Sequence, residues 1–390
     1  MANNLTVTRI EQRAQLAEVE AEWDQLLERT DVASPFLTPG WQMAWLDTYG
    51  AEHQPFVLVA RDAGTLVGLW PLARRARGPF RVLEPIGAGR SDWLDIPVVP
   101  ERRADVLSAF LEYLGRHRRA WDLIEHRDVL VDSPSIAALE SLCGDGGIRI
   151  RRQSRTVAPY LALTGTWEQF LDSKRGKFRS NLKYYRRLPE RNGQKLTSGR
   201  VTWSDRTLTV DDLASIELRS WKARDGNLKV STEAGRAFYR RFCDYLASRG
   251  SLEVWSAAID GEPVAFILNI IFQGKCYHYN TCYDERFGNI SPGVLLHAEA
   301  IANAYERDLT EYDFLSGDEP YKDRWCSHRR SIEHLTLFHS GAASLVAQGA
   351  LVEARWALKR STTLSRGRQR VLASARRILR RAPERTAAQP

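Results

Sequence analysis

Apolar runs in the first hundred residues predict a helix followed by a β-hairpin. Residues 39–49 combine apolar and aromatic positions after Pro39, and proline is favoured in the first turn of a helix. Residues 56–62 and 65–71 are rich in Val and Leu, and Ala63-Gly64 joins them. A short Gly-containing link between two such runs indicates antiparallel strands with a tight turn.

The same order of elements returns in the second half of the chain. A helix is predicted over 232–248, with a Ser-Thr cap before it and Gly250 as its stop. Strands are predicted over 252–259 and 263–272, joined by an Asp-Gly turn. We interpret this pattern as a degenerate internal duplication that gives two similar halves. A chance recurrence of the common helix–hairpin unit is the alternative.

A strand–helix–strand unit follows the second hairpin. Polar and aromatic residues alternate over 275–284, a helical pattern covers 294–308, and a short strand is predicted over 311–316. This order favours two parallel strands with a crevice at their C-terminal ends. With a last strand over 333–338, the chain is predicted to be α/β with a mixed sheet. Alternation places four side chains on one face of the first strand: Tyr277, Tyr279, Thr281 and Tyr283.

The start of helix 294–308 is a candidate anion site. Ser291 suits an N-cap, and Pro292 and Gly293 suit the first helical turn before Val294. Free backbone N–H groups and the helix dipole at such a terminus favour a phosphate group. The alternative is a capped helix that binds nothing.

The segment 311–325 is a candidate catalytic cluster. It places acidic, phenolic and cationic side chains at the edge of the predicted crevice. Such a set can supply an acid, a base and a positive charge for a developing oxyanion. A solvated polar loop is the alternative. Its candidate residues are Asp313, Asp318, Glu319, Tyr321, Lys322 and Arg324.

A strongly basic helix is predicted over 173–188, ended by Pro189 and Gly193. Its cations suit a substrate that bears phosphate. The candidate substrate-binding residues there are Lys177, Arg179 and Lys183.

The net charge of +8 comes from the end of the chain. Residues 341–390 hold eleven Lys or Arg and two Glu, so the other 340 residues carry 45 basic and 46 acidic groups. A nearly neutral body makes nucleic-acid binding an unfavoured function. Residues 342–381 mix apolar residues with Arg and predict basic amphipathic helices. Such helices suit an anionic membrane surface, RNA, or packing against the body.

Composition indicates a cytoplasmic protein without a metal. The five cysteines form no CxxC pair, no secretory signal is recognised, and no stretch of 18 apolar residues occurs. Cys276, His278 and Cys282 lack the tight loops of metal sites.

Residues 173–325 resemble the acetyltransferase domain of the CelD/BcsL family of bacterial cellulose-biosynthesis proteins. The features are the basic helix, a Trp with basic neighbours, a Tyr-Asp pair, Ser-Pro-Gly opening a helix, and an Asp-Phe…Gly…Tyr-Lys…Trp string. The leading region is similar to the same family through its Pro-Phe pair and the Trp-Pro-Leu end of its hairpin. These features stand at Lys174–Arg187, Trp221, Tyr283-Asp284, Ser291–Gly293, Asp313–Trp325, Pro35-Phe36 and Trp70–Leu72.

This resemblance implies a tandem GNAT fold, as in the FemABX aminoacyltransferases. The implied domains are 1–155 (a GNAT-like half), 156–340 (the acyltransferase domain) and 341–390 (a basic helical tail). An acyl-CoA would lie between splayed parallel strands with its pyrophosphate at Ser291–Val294, and an acceptor amine would attack the thioester. Asp313 or Glu319 is then the candidate base, Tyr283 or Tyr321 the acid that protonates the thiolate, and Lys322 the oxyanion or phosphate ligand. Trp221 and Arg324 are candidate substrate-binding residues.

One departure from the GNAT pattern leaves the donor open. The usual phosphate loop is Q/R-x-x-G-x-G/A, whereas this chain has Arg286-Phe-Gly-Asn-Ile-Ser291, in which Asn289 replaces a glycine. Asn tolerates positive φ. Acetyl-CoA or another acyl-CoA is the expected donor, with a saccharide or cell-envelope precursor as acceptor. The alternatives are an aminoacyl-tRNA-dependent transferase, or a non-catalytic membrane- or RNA-binding protein. The expected location is cytoplasmic, with peripheral contact at the inner face of the membrane through residues 341–390.

Overall fold

A computed structural model describes residues 4–32, 34–143 and 147–353. Within these ranges, twelve strands form one sheet in the order β1-β2-β3-β4-β5-β12-β6-β11-β10-β9-β8-β7. The strands are β1 Leu5–Ile10, β2 Gln54–Asp62, β3 Thr65–Arg77, β4 Phe80–Pro85, β5 Leu123–Leu130, β6 Ile148–Ala162, β7 Leu196–Val201, β8 Leu252–Ile259, β9 Glu262–Phe272, β10 Lys275–Tyr283, β11 Glu311–Asp313 and β12 His328–His339.

The helices cover both faces of this sheet. Short 3₁₀ turns connect several of them, and a π-helical segment, Gln348–Glu353, follows the last. The helices are α1 Arg13–Glu18, α2 Glu20–Glu28, α3 Pro39–Tyr49, α4 Arg103–Arg116, α5 Pro134–Leu142, α6 Trp167–Ser173, α7 Gly176–Arg191, α8 Val210–Leu218, α9 Trp221–Arg224, α10 Glu233–Ser248, α11 Pro292–Glu306 and α12 Ala342–Ala347.

The strand pairing is the same from either edge of the sheet. Four antiparallel strands, β1–β4 or β7–β10, lead to one parallel step, β4 to β5 or β10 to β11. This repeat agrees with the prediction of two similar halves. At the centre of the sheet the halves exchange strands. β12 of the second half pairs with β5 of the first, and β6, which begins in the first half, pairs with β11 of the second. The predicted boundary between residues 155 and 156 lies inside β6.

The two halves also share a core. Trp41 of α3 packs its ring 5.1 Å from Phe238 and 4.9 Å from Phe242, both on α10. Gly40 permits this approach, since a Cβ there would lie 2.2 Å from the Tyr245 ring. Buried aromatic side chains dominate the energetics of such a contact. The first half is therefore fixed directly against the second.

Several predicted elements need correction. Pro189 does not end α7, which continues to Arg191 with the proline buried in its last turn, where only one backbone hydrogen bond is lost. The strand predicted over 311–316 pairs only as far as Asp313, because Leu315 has a positive φ of 57°. Ser291 stands at the N-cap position, but it is left-handed and its side chain caps no N–H.

Most of the predicted basic tail lies outside the described residues. Of the amphipathic region 342–381, only α12 and the following segment to Glu353 are described. Ser344 on α12 donates to the Asp122 carbonyl at 2.6 Å and accepts from the His339 amide, which ties α12 to the sheet. No helix in the described ranges is long and apolar enough to cross a membrane.

Candidate active site

A cavity of about 460 Å³ lies where β10 and β11 separate. The two parallel strands pair over three residues only, Lys275–Tyr277 with Glu311–Asp313. Beyond this point His278 to Thr281 form one wall and Phe314 to Ser316 the other. The N-terminus of α11 closes one end of the cavity. The crevice predicted at the C-terminal ends of two parallel strands is thus present.

A β-bulge shapes the β10 wall. His278 pairs with Asn269 of β9, but Asn280 pairs with the neighbouring Leu268, so Tyr279 is an extra residue. An extra residue exchanges the two faces of a strand, and the predicted single face of Tyr277, Tyr279, Thr281 and Tyr283 is therefore wrong. Tyr277 and Tyr279 pack in the core shared by the halves, whereas Tyr283 packs near α11.

Two buried histidines meet in the cavity wall. His278 of β10 and His297 of α11 bring their Nε2 atoms to 3.3 Å. His297 Nδ1 lies 2.6 Å from the Gly293 carbonyl. Because a carbonyl only accepts, Nδ1 of His297 carries the proton and its Nε2 is a lone pair that accepts from His278.

The remaining nitrogen of His278 also needs a donor. Its Nδ1 lies 3.2 Å from the Asn269 side-chain oxygen, which is an acceptor, and 3.5 Å from the Tyr312 hydroxyl, which lies 3.2 Å from the same oxygen. Asn269 Nδ2 is buried without a partner among the described residues, and turning the amide by 180° brings this donor to both His278 Nδ1 and the Tyr312 oxygen. Burial lowers the pKa of His297 to about 4 and holds the pKa of His278 well below its usual range. Both imidazoles are neutral at pH 7.

The α11 terminus offers one free amide to the cavity. Val294 and Leu295 donate their N–H groups back to the Ser291 carbonyl at 3.0 and 3.3 Å, and Pro292 has none. The Gly293 amide donates to no acceptor in the described chain. A Cβ at Gly293 would meet only Tyr283, at 3.6 Å. This terminus can therefore hold an anion through a smaller set of donors than a Gly-rich loop provides.

The loop after β11 is held by a lysine. The Lys322 ammonium donates to the carbonyls of Ser316, Leu315 and Gly317 at 3.0 to 3.4 Å and pairs with Glu319 at 2.8 Å. Its hydrogen-bonding capacity is thereby largely used. Burial raises the pKa of the Tyr321 phenol, so Tyr321 stays a neutral donor in the wall.

Asp313 lies behind the cavity wall. Its carboxylate pairs with Arg330 at 3.0 Å and accepts from the Leu315 amide at 2.7 Å. Burial raises its pKa to about 7, although Arg330 opposes this shift. Asp313 thus fixes the turn at which β11 leaves β10.

The structure brings together nine of the sixteen predicted site residues. The seven outside the wall include the three cations of α7, where Lys177 and Lys183 are exposed and Arg179 pairs with Asp172 at 2.9 Å. The others outside are Asp313, Asp318, Asn289 and the buried Pro292. The nine in the wall are Tyr283, Ser291, Gly293, Val294, Trp221, Glu319, Tyr321, Lys322 and Arg324.

Sequence reasoning missed many polar residues of the cavity wall. The histidines had a signal, since each lies on an element that flanks the predicted crevice. Asp92 had none, because it belongs to the first half. The missed polar residues in the wall are Asp92, Lys222, Asn227, Lys229, His278, Asn280, Thr281, His297 and Ser316.

Comparison with known proteins relates part of the chain to a described family. Residues 176–323, in the second half, match the family described as "Acetyltransferase (GNAT) domain". No curated protein sequence matches the chain. The comparisons do not extend to the narrower CelD/BcsL family.

Solved structures show a shared fold over most of the chain. The crystal structure of FemX is 14% identical, with 89% of this chain and 100% of that chain covered and a TM-score of 0.61. The C-terminal domain of a putative lysylphosphatidylglycerol synthetase from Agrobacterium fabrum is 13% identical, with coverages of 86% and 96% and a TM-score of 0.53. At these identities the likeness concerns the fold alone.

Proposed function

We propose that this protein is an acyltransferase that moves an acyl group from acyl-CoA to an amine. Acetyl is the acyl group that we favour. The observation that carries the proposal is the polar cavity at the separation of β10 and β11, with the α11 terminus at one end. A hydroxyl is the less favoured nucleophile. The proposed acceptor is a sugar, polysaccharide or cell-envelope precursor in the cytoplasm.

The proposed reaction is direct transfer. The acceptor nitrogen attacks the thioester carbonyl, the new C–N bond forms, and the C–S bond breaks. The amine gives up a proton and the departing thiolate takes one. In this proposal the donor lies between the separated strands, with its pyrophosphate at the Gly293 amide.

We assign the proton acceptor to the histidine pair rather than to Asp313. His297 and His278 line the cavity as neutral imidazoles, and His297 Nε2 is proposed to take the proton when the acceptor amine displaces the His278 N–H from it. Asp313, by contrast, lies behind the wall and is held by Arg330. Glu319 lines the cavity but pairs with Lys322. Tyr321, as a neutral phenol, is the proposed acid for the thiolate, with Tyr283 as the other candidate.

A second candidate function is transfer from an aminoacyl-tRNA. The single free amide at the α11 terminus is a small set of donors for the pyrophosphate of an acyl-CoA. Helix α7 presents Lys177, Lys183 and Arg187 to solvent, a surface that suits a phosphate backbone. Under this function, Lys183→Glu weakens tRNA binding in a filter-binding assay, and acetyl-CoA does not bind.

Calorimetric titration with acetyl-CoA tests the donor. Micromolar binding to the wild type is expected, with loss of binding in Gly293→Leu, because the new side chain enters the cavity beside Tyr283. Gly115→Leu, on α4 where a Cβ meets nothing within 4 Å, is the matched control. Absence of binding by the wild type to both acetyl-CoA and free CoA would reject the acyl-CoA donor.

Peripheral membrane contact through residues 341–390 is proposed separately. Deleting residues 354–390 leaves α12 and its Ser344 contacts in place. The deletion is expected to move the protein from anionic phosphatidylserine vesicles to the supernatant in co-sedimentation, without loss of activity on a soluble acceptor. Vesicle binding that survives the deletion would reject the contact.

A further inference from the structure

We infer that Asp92 and Lys229 form an acceptor subsite that selects an amine which also carries an anionic group, a carboxylate or a phosphate. Both residues line the cavity, Asp92 from the first half and Lys229 from the second. This inference rests on the proposed acyltransferase function and names the acceptor class of the same cavity.

The loop that carries Asp92 is fixed by contacts from both halves. The Tyr279 hydroxyl donates to the Arg90 carbonyl at 3.1 Å, and Trp41 Nε1 donates to the Ser91 hydroxyl at 2.8 Å. Gly87 has a φ of 94°, and a Cβ there would lie 2.5 Å from Ser91 Oγ. A larger residue at this turn would displace the loop. The chain is thus shaped to present Asp92 to a cavity that belongs to the other half.

The segment that carries Lys229 is fixed by a buried carboxylate. Glu217 of α8 is fully buried and accepts the backbone N–H groups of Lys229, Val230 and Ser231 at 2.8 to 2.9 Å, as well as the Ser231 hydroxyl. A buried charge is costly unless it is hydrogen-bonded, and here four donors surround it. Glu217 is therefore a positioning residue for Lys229.

Two other charged side chains of the wall have a polar partner, whereas the side chains of Asp92 and Lys229 have none in the described ranges. Lys222 donates to Asn280 at 2.5 Å, and Lys322 pairs with Glu319 at 2.8 Å. In the described ranges neither the Asp92 carboxylate nor the Lys229 ammonium makes a hydrogen bond or an ion pair, although the ammonium stands 5.6 Å from the Tyr279 ring. Desolvation raises the pKa of Asp92 and lowers that of Lys229 to about 8.

Two desolvated, opposite charges in one cavity are complementary to a ligand with both signs. The ammonium form of the acceptor would pair with Asp92, and its acidic group with Lys229. A neutral amino sugar would meet only the first of these partners. Charge-assisted hydrogen bonds are about twice as strong as neutral ones, so the acidic group is expected to favour binding strongly.

Three amino sugars that share one amine test this inference: glucosamine, glucosamine 6-phosphate and muramic acid. With acetyl-CoA as donor, released thiol is measured, and the wild type is expected to prefer an anionic sugar by about tenfold or more in kcat/KM. Lys229→Met should remove that preference, and the loss should appear in KM. Asp92→Asn should lower kcat/KM for all three. Lys195→Met, at an exposed lysine, is the control.

The phosphate and carboxylate arms show which anion is recognised. Equal kcat/KM for the three sugars would overturn the inference, and so would a preference that survives Lys229→Met. If the protein binds acetyl-CoA but turns over neither anionic sugar, the inference is also overturned. Titration of the sugars without donor tests the subsite if acetyl-CoA does not bind. Tighter binding of an anionic sugar, lost in Lys229→Met, then supports the subsite while the proposed donor fails, and equal binding of all three rejects the subsite.

Discussion

His278 and His297 differ from ordinary buried histidines because each uses its ring nitrogens in one chain of hydrogen bonds. The Gly293 carbonyl at one end sets the tautomer of His297, which in turn sets that of His278. The chain begins at the first turn of α11, beside the amide proposed to meet the donor. Proton acceptance and donor binding are thereby placed next to each other.

Replacing His297 by glutamine is expected to lower kcat by about 10²–10⁴-fold, the usual contribution of a general base. The KM for acetyl-CoA is expected to stay within about threefold, because the variant removes a proton acceptor rather than a contact with the cofactor. Steady-state kinetics measure both values. His117→Gln, at an exposed histidine of the first half, is the control. An unchanged kcat in His297→Gln would assign the base elsewhere.

Lys229 predicts an alkaline limit to acceptor binding. Its pKa is about 8 because of desolvation; its charged neighbours are Lys222, Asp92 and Arg90, and the Cys282 thiol, whose pKa burial raises, is the other titratable neighbour. The ammonium that is proposed to bind the anion is present below pH 8 and is lost as the pH rises through that value. The KM for an anionic amine is therefore expected to rise above pH 8.

Lys229→Arg separates this effect from titration of the substrate. A guanidinium keeps its charge at high pH, so the rise in KM is expected to move upward by more than one pH unit. A pH profile of KM that is the same in the wild type and in Lys229→Arg would show that another group controls the alkaline limb.

At the scale of elements, local patterns predicted the helices and hairpins well. Helix α3 begins at Pro39 and ends at Tyr49 as expected, and α10 begins after the Thr232 cap. These boundaries depend on caps and turns, which are encoded by neighbouring residues. The bulge at Tyr279 depends on pairing with β9, and the turn that ends β11 depends on Asp313 and its ion pair with Arg330. Contacts between distant segments were beyond the reach of local patterns.

The contact between α3 and α10 can be tested with a single methyl group. Gly40→Ala places a Cβ about 2.2 Å from the Tyr245 ring, so the helices must move apart. A loss of about 1–3 kcal/mol in the free energy of unfolding is expected, as for other overpacked cores. Urea denaturation measures it. Gly115→Ala, in open space on α4, is expected to be neutral or slightly stabilising, and an equal effect of the two substitutions would contradict the tight packing of the halves.

At the scale of the whole molecule, the sequence indicated two halves but not how they are joined. The repeated helix–hairpin pattern predicted the duplication, and the structure shows the matching strand order. The exchange of β6 and β12 pairs residues that are far apart in sequence, for example Ser154 with Glu333. Asp92, from the first half, also lines the cavity of the other half. Neither feature leaves a local pattern.

A fragment of residues 1–162 tests whether the first half is independent. It retains β1–β6 but lacks β12, the strand that lies between β5 and β6. The fragment is expected to be aggregated or largely unfolded by circular dichroism and size-exclusion chromatography, because two long strands lose their partner. The chain 1–353 should unfold in one cooperative transition. A folded, monomeric fragment would show that the halves are separable.

The position of β12 also has a consequence for synthesis on the ribosome. This strand, His328–His339, completes the middle of the sheet, yet it is among the last described segments to be made. Until it emerges, β5 and β6 of the nascent chain have edges with unpaired backbone N–H and C=O groups. Such edges favour association with other chains. Translation speed between residues 162 and 339, and chaperones that shield those edges, are therefore expected to decide the yield of native protein in the cell.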